Sequence, residues 1–141
     1  MINEIKSTEI VLDEVFDYLE VNSEYLRKII KEVILIISNH TNINELNFGP
    51  VMERQTYSTE AGEVTEDGWI IFDSKILRKY DDDISKAIIA HELAHYHLQH
   101  YLKIPHGLEF EYEADELAQK WGFAIGKFRT VCGPPTCSPK P

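Results

Sequence analysis

Basic residues are scarce in this chain: 14 Lys and Arg stand against 24 Asp and Glu over 141 residues, a formal net charge of −10. That balance excludes a nucleic-acid binder, whose phosphate contacts need clustered Lys and Arg. It also excludes anionic membrane surfaces as partners. Long apolar runs are missing as well. The longest, Val33-Ile34-Leu35-Ile36-Ile37, follows Arg27, Lys28 and Lys31 and falls far short of the ~20 residues that cross a bilayer. The opening Met1-Ile2-Asn3-Glu4-Ile5-Lys6 has neither the basic nor the apolar stretch of a signal peptide, so a cytoplasmic protein is expected. Cysteine is nearly absent. Cys132 and Cys137 both fall in the terminal Cys-Gly-Pro-Pro-Thr-Cys, where they read as free thiols rather than a disulfide framework or half of a metal site.

What is present is ordinary for a water-facing domain, with 43% hydrophobic and 27% charged residues. The length suits one domain, assigned to 1–128, with a flexible Pro-, Cys- and Ser-rich tail expected over 129–141. Two N-terminal helices open the chain. Residues 7–20 carry the stripe Ile10, Val11, Val15, Phe16 and Leu19. The second helix is capped by Ser23, runs to about Asn39, and repeats Leu26, Ile29, Ile30, Val33, Ile34 and Ile37 at three- and four-residue intervals. From Asn42 to Asp73 the pattern shortens into strands, and a small, mostly antiparallel sheet is expected. Its parts are an edge strand or bent strand over 44–52, a turn at Asp67-Gly68, and the apolar strand Trp69-Ile70-Ile71-Phe72-Asp73. A short helix over 74–80, a long one over 84–102 begun by Asp81-Asp82-Asp83, and a last one over 108–121 ended by Gly122 complete an α+β fold.

The long helix contains His91-Glu92-Leu93-Ala94-His95. Histidines four apart stack on one helix face, because 3.6 residues per turn bring the chain almost back to its starting direction. Two such imidazoles can hold one tetrahedral zinc while the glutamate between them acts on water at the metal. On the helical wheel Ile84, Ala87, Ile88, Ala94 and Leu98 share the face of His91 and His95, so the pair points inward. His97 and His100 fall on the opposite side and read as solvated.

A catalytic zinc takes three protein ligands. In the metzincin spacing the glycine and the third histidine would fall at positions 98 and 101, which are Leu98 and Tyr101; that pattern is excluded. A carboxylate on the following helix is the other source. There Glu111 shares a face with Ala114, Asp115 and Ala118, whereas Glu109, Glu113 and Glu116 cluster on the far side.

His91-Glu92-x-x-His95 followed by Glu111-Tyr112-Glu113-Ala114-Asp115 resembles the gluzincin zinc metallopeptidases that read His-Glu-x-x-His and then Glu-x-x-Ala-Asp. These are the catalytic domains of the HtpX and CAAX prenyl protease group and, with Asn often in place of the Asp, the ImmA/IrrE-type metallopeptidases. The resemblance spans about 69–122 and implies a minimal zincin-like domain, a helix bearing His-Glu-x-x-His followed by a glutamate-bearing helix. It implies one Zn2+ per chain held by His91, His95 and Glu111, with Glu92 as general base and Asp115 behind the ligands. The membrane spans of the first group have no counterpart here.

The expected activity is hydrolysis of a peptide bond in one or a few protein substrates, by zinc-activated water, with no nucleic-acid or membrane partner. An extended protein or peptide substrate is expected to pair with the 69–73 strand. His106, Tyr112 and Tyr101 are the candidates for donating to the oxyanion. The competing reading is a catalytically silent zinc-containing interaction module, which would have no need of Glu92. A deformylase-like metallohydrolase would want a cysteine ligand before the histidines, and none is there.

Overall fold

The computed structural model describes residues 21–55, 60–103 and 107–135. The helix expected over 7–20 lies outside these residues, as do His106 and Cys137. Among the described residues, five α-helices and a three-stranded sheet give the α+β fold expected.

Helix α1 (Glu24–Ser38) is capped by Ser23, whose side chain accepts from the Leu26 amide. Its six stripe residues, Leu26, Ile29, Ile30, Val33, Ile34 and Ile37, are all buried. Burying side chains of this kind stabilises the fold by about 1.5–3 kcal/mol each relative to exposure. After a 3₁₀ turn at Ile43–Glu45 come β1 (Val51–Glu53), β2 (Gly62–Val64) and β3 (Ile70–Phe72). Glu53 ties the sheet to α1 by accepting from the Asn22 and Ser23 amides at 3.0 and 2.8 Å.

The sheet order is β1-β3-β2. β1 pairs with β3 in parallel, Val51 opposite Ile70, and β2 pairs with it antiparallel, Gly62 opposite Phe72. One pair of the small sheet is therefore antiparallel and one parallel. The β2–β3 connection closes as anticipated at Asp67-Gly68, with Gly68 at φ +88° and its amide donating to the Thr65 carbonyl.

β3 occupies the centre, which corrects the expectation that the 69–73 strand would accept a substrate. Its backbone is paired on both sides, and Ile70, Ile71 and Phe72 are at most 1% exposed. A strand apolar on both faces is driven inward, not to an edge. The strand position beside the site belongs to β2.

Asp73 caps the short α2 (Ser74–Leu77), and Asp81 caps α3 (Asp82–His97) by accepting from the Ile84 amide at 3.0 Å. α3 is the central helix and is buried around most of its girth, from Ile84 and Ser85 through Leu93 and His95. It ends at His97, five residues before the expected limit. Gln99 then takes the left-handed conformation (φ 60°, ψ 32°), and a 3₁₀ turn spans His100–Leu102. A non-glycine residue pays about 1–2 kcal/mol for that conformation, so surrounding contacts must hold it.

Helix α4 (Leu108–Lys120) buries Ala114, Asp115 and Ala118 against α3, the face the wheel selects. Gly122 follows at φ +99°, where a Cβ would also come within 2.8 Å of the His40 ring. A further helix, α5 (Ile125–Cys132), buries Ile125 and Phe128. It runs across position 129, where a flexible tail was expected to begin. Phe128 and Ile125 seat the helix on the core, and Arg129 binds α4.

Candidate metal centre

α3 and α4 lie side by side with small residues at their contact, which lets the side chains of both helices converge. His91 Nε2 and His95 Nε2 are 3.0 Å apart. The Glu111 carboxylate closes the triangle, with Oε1 3.2 Å from His91 Nε2 and Oε2 2.9 Å from His95 Nε2. His91 and His95 are buried, and Glu111 is partly exposed. Two ring nitrogens this close are held by one shared proton or by a metal ion. Ligands about 2.0–2.1 Å from a tetrahedral zinc stand about 3.3 Å apart, so these three residues fit the ion.

The electrostatics follow from the same convergence. Burial alone would push the His91 imidazole down, but Asp115 and Glu111 on its two nitrogens hold it up at about 9. Burial would raise Glu111, yet His91 and His95 keep its carboxyl well below the usual range. Glu92 is raised, chiefly by burial. It packs against β2, where a Cβ on Gly62 would come within 2.9 Å of Glu92 Cγ and 3.0 Å of the Phe72 ring. Glycine at 62 thus leaves room for the Glu92 side chain.

Asp115 stands behind His91. Its Oδ1 approaches His91 Nδ1 at 2.7 Å, although no acceptor stands in line with that ring nitrogen's N–H, so the contact is one of charge more than of a linear hydrogen bond. Arg129 grips the same carboxylate with two bonds, Nε to Oδ2 at 2.7 Å and Nη2 to Oδ1 at 2.9 Å. Burial acts to raise Asp115, and His91 and Arg129 outweigh it, so the carboxyl is lowered.

His95 has a different neighbour. Its Nδ1 is 2.9 Å from Nδ1 of His100, whose Nε2 is 3.1 Å from Glu113 Oε1. His100 is 3% exposed, against the expectation of a solvated side chain. The wheel extends α3 through 102 and so turns His100 away. The chain instead leaves the helix at His97, and the left-handed Gln99 brings the ring back under His95. Burial, then the proximity of His95, pushes His100 down to about 4. His97 is half-buried and accepts from the Asn47 amide at 3.0 Å.

The structure thus brings His91, His95, Glu111 and Asp115 together with Glu92 beside them. It does not bring Tyr101 to them. Tyr101 stacks on Tyr96, centroids 4.8 Å apart, in a cleft with Phe48, Pro50 and Trp69. Tyr112 is exposed next to Glu111. His100, Arg129 and Gly62 are the residues that sequence reasoning missed. Arg129 carried no local signal, because a partner fourteen residues away is set by how α5 docks.

A buried His-His-Glu cluster on two packed helices of an α+β domain is the mark of a metallohydrolase. The family is more specific: a sequence profile of peptidase family M48 matches residues 21–106, well over half of the chain, and the chain belongs to that metallopeptidase family. The matched span holds His91, Glu92, His95 and His100 and stops before Glu111 and Asp115, so those two rest on their sequence pattern and on the geometry. No curated protein and no solved structure matches the chain. Among the described residues no helix is long and apolar enough to cross a membrane.

Proposed function

We propose that this chain is a gluzincin-type endopeptidase that holds one zinc ion through His91, His95 and Glu111 and cuts one or a few protein substrates. The observation that carries the reading is the triangle of His91 Nε2, His95 Nε2 and the Glu111 carboxylate, with edges of 2.9–3.2 Å. Zinc bound there supplies a lowered water pKa and polarises the carbonyl to be attacked. Glu92 takes the proton of the attacking water and hands it to the leaving amine. A carboxyl raised by burial suits that exchange, since a base works best when its pKa approaches the working pH. Asp115, anchored by Arg129, holds the His91 ring in place.

The substrate strand is assigned to the edge at β2, because Gly62 packs directly against Glu92 while β3 is paired on both sides. An extended peptide laid along β2 would pass the reacting groups by main-chain pairing.

Metal analysis and cleavage of a co-purifying protein test the reading together. The chain should carry about one zinc, and Glu111→Gln should lower its affinity by about 10-fold or more. Glu92→Gln should keep the zinc and lose about 10²–10⁴-fold in cleavage rate. Zinc binding with cleavage indifferent to Glu92→Gln would instead make the site that of a silent zinc-containing module.

A further inference from the structure

A histidine that binds zinc through Nε2 carries its proton on Nδ1, and that proton needs an acceptor. Behind His91 stands a carboxylate, Asp115 Oδ1 at 2.7 Å from Nδ1, which meets that proton by charge rather than by a linear hydrogen bond. Behind His95 the acceptor is another imidazole, with the two Nδ1 atoms 2.9 Å apart. Nitrogens so placed share one proton. The ligand role of His95 assigns it to His95, so His100 Nδ1 accepts. A neutral His100 then bears its own proton on Nε2, and there stands Glu113 Oε1 at 3.1 Å, a group that when ionised can only accept. Every donor in the series meets an acceptor.

The His100 ring is also fixed in direction. It is 3% exposed and stacks on Phe110, centroids 4.5 Å apart and planes within 14°. Phe110 and Glu113 both come from α4, the helix that carries Glu111. One helix therefore supplies the third ligand and the two groups that aim the residue behind the second.

We propose that His100, oriented by Phe110 and Glu113, is the positioning residue that fixes the Nδ1–H tautomer of His95 and presents its Nε2 to the metal. His100 touches neither metal nor substrate. The inference rests on His95 being a zinc ligand, as the reading above has it.

The test is a chelator-competition titration of zinc on the full chain and three variants. In His100→Asn the side-chain oxygen takes nearly the place of Nδ1, restoring the acceptor, and zinc affinity should stay within about 3-fold of the parent. His100→Gln puts its amide near the Nε2 place, and His100→Phe keeps the stacking without an acceptor. Both should bind zinc about 10–100-fold more weakly. Imidazole ¹⁵N spectra of the zinc-loaded proteins give a second readout. The Nδ1–H of His95 should exchange slowly in the parent and in His100→Asn, and be broadened in the other two. Equal affinity in all four proteins, or an equal loss in all three variants, would overturn the positioning role. A parent chain that takes up no zinc would overturn the site itself. The Asn and Gln variants decide the matter even if His100→Phe fails to fold.

Discussion

The two histidines of the candidate centre sit four residues apart on one helix, yet the groups behind them differ in charge and in origin. Behind His91 stands an ion pair, Asp115 with Arg129, drawn from α4 and α5. Behind His95 stands a neutral imidazole, His100, from the turn that ends α3, with half-exposed Glu113 beyond it. The first arrangement favours a positively charged imidazole. The second fixes a tautomer without adding charge next to the ligand. A cluster already holding Glu92, Glu111 and Asp115 gains little from a fourth full carboxylate behind His95, because like charges crowded together raise one another's pKa. The contrast teaches that the same task, orienting one of the paired imidazoles, is met here by charge on one side and by shape on the other.

The largest effect that would break this contrast lies in the ion pair. Arg129→Leu takes from the buried Asp115 the partner that grips it with two hydrogen bonds and leaves His91 as its remaining cation, and should cost about 2–3 kcal/mol in unfolding free energy. The double variant Asp115→Asn with Arg129→Leu should recover much of that loss, as a double-mutant cycle by chemical denaturation would show. If the two losses simply add, the pair does not act as a unit.

Next comes pH. The folded His91 sits at about 9, above the 6.5 of an ordinary histidine. A raised histidine stabilises the fold fully below about 6.5, and that contribution is lost as pH climbs through about 9. Chelator-treated protein should therefore lose up to about 3 kcal/mol between pH 6 and pH 10. Zinc affinity should rise over the same span, because the ion displaces that proton. His100, pushed down to about 4, should contribute no step between pH 7 and 10, which histidine NMR titration would check. A step from His100 in that window would erase the difference between the two sides.

A smaller change sharpens the comparison by touching neither side. Gly62→Ala places a methyl against Glu92 Cγ and the Phe72 ring. It should slow cleavage about 10-fold and cost about 1 kcal/mol, with zinc affinity unchanged. The smallest effect serves as a control on the outer face of α4. The exposed Lys120–Glu116 pair spans 3.6 Å, and Lys120→Ala should alter thermal stability and zinc binding within measurement error.

Features that depend on local chemistry are legible in the residues alone. The 3.6-residue period turned His91 and His95 inward, selected Glu111 and Asp115 from a strongly acidic helix, and identified all six buried residues of α1. Ser23 and Asp81 as caps, and Gly122 as the stop after α4, follow equally from bonding within a few residues. The remaining features come from packing between distant segments. A helical wheel holds while the helix continues, so it misplaced His100, because α3 ends early, the chain turns at Gln99 and the His100 ring stacks on Phe110 of α4. The central position of β3 depends on two partners distant in sequence. Arg129 reaches Asp115 because Phe128 and Ile125 seat α5 on the core. Local periodicity places a side chain relative to its own helix, whereas the groups behind His91 and His95 come from other elements, and their positions are set when those elements pack.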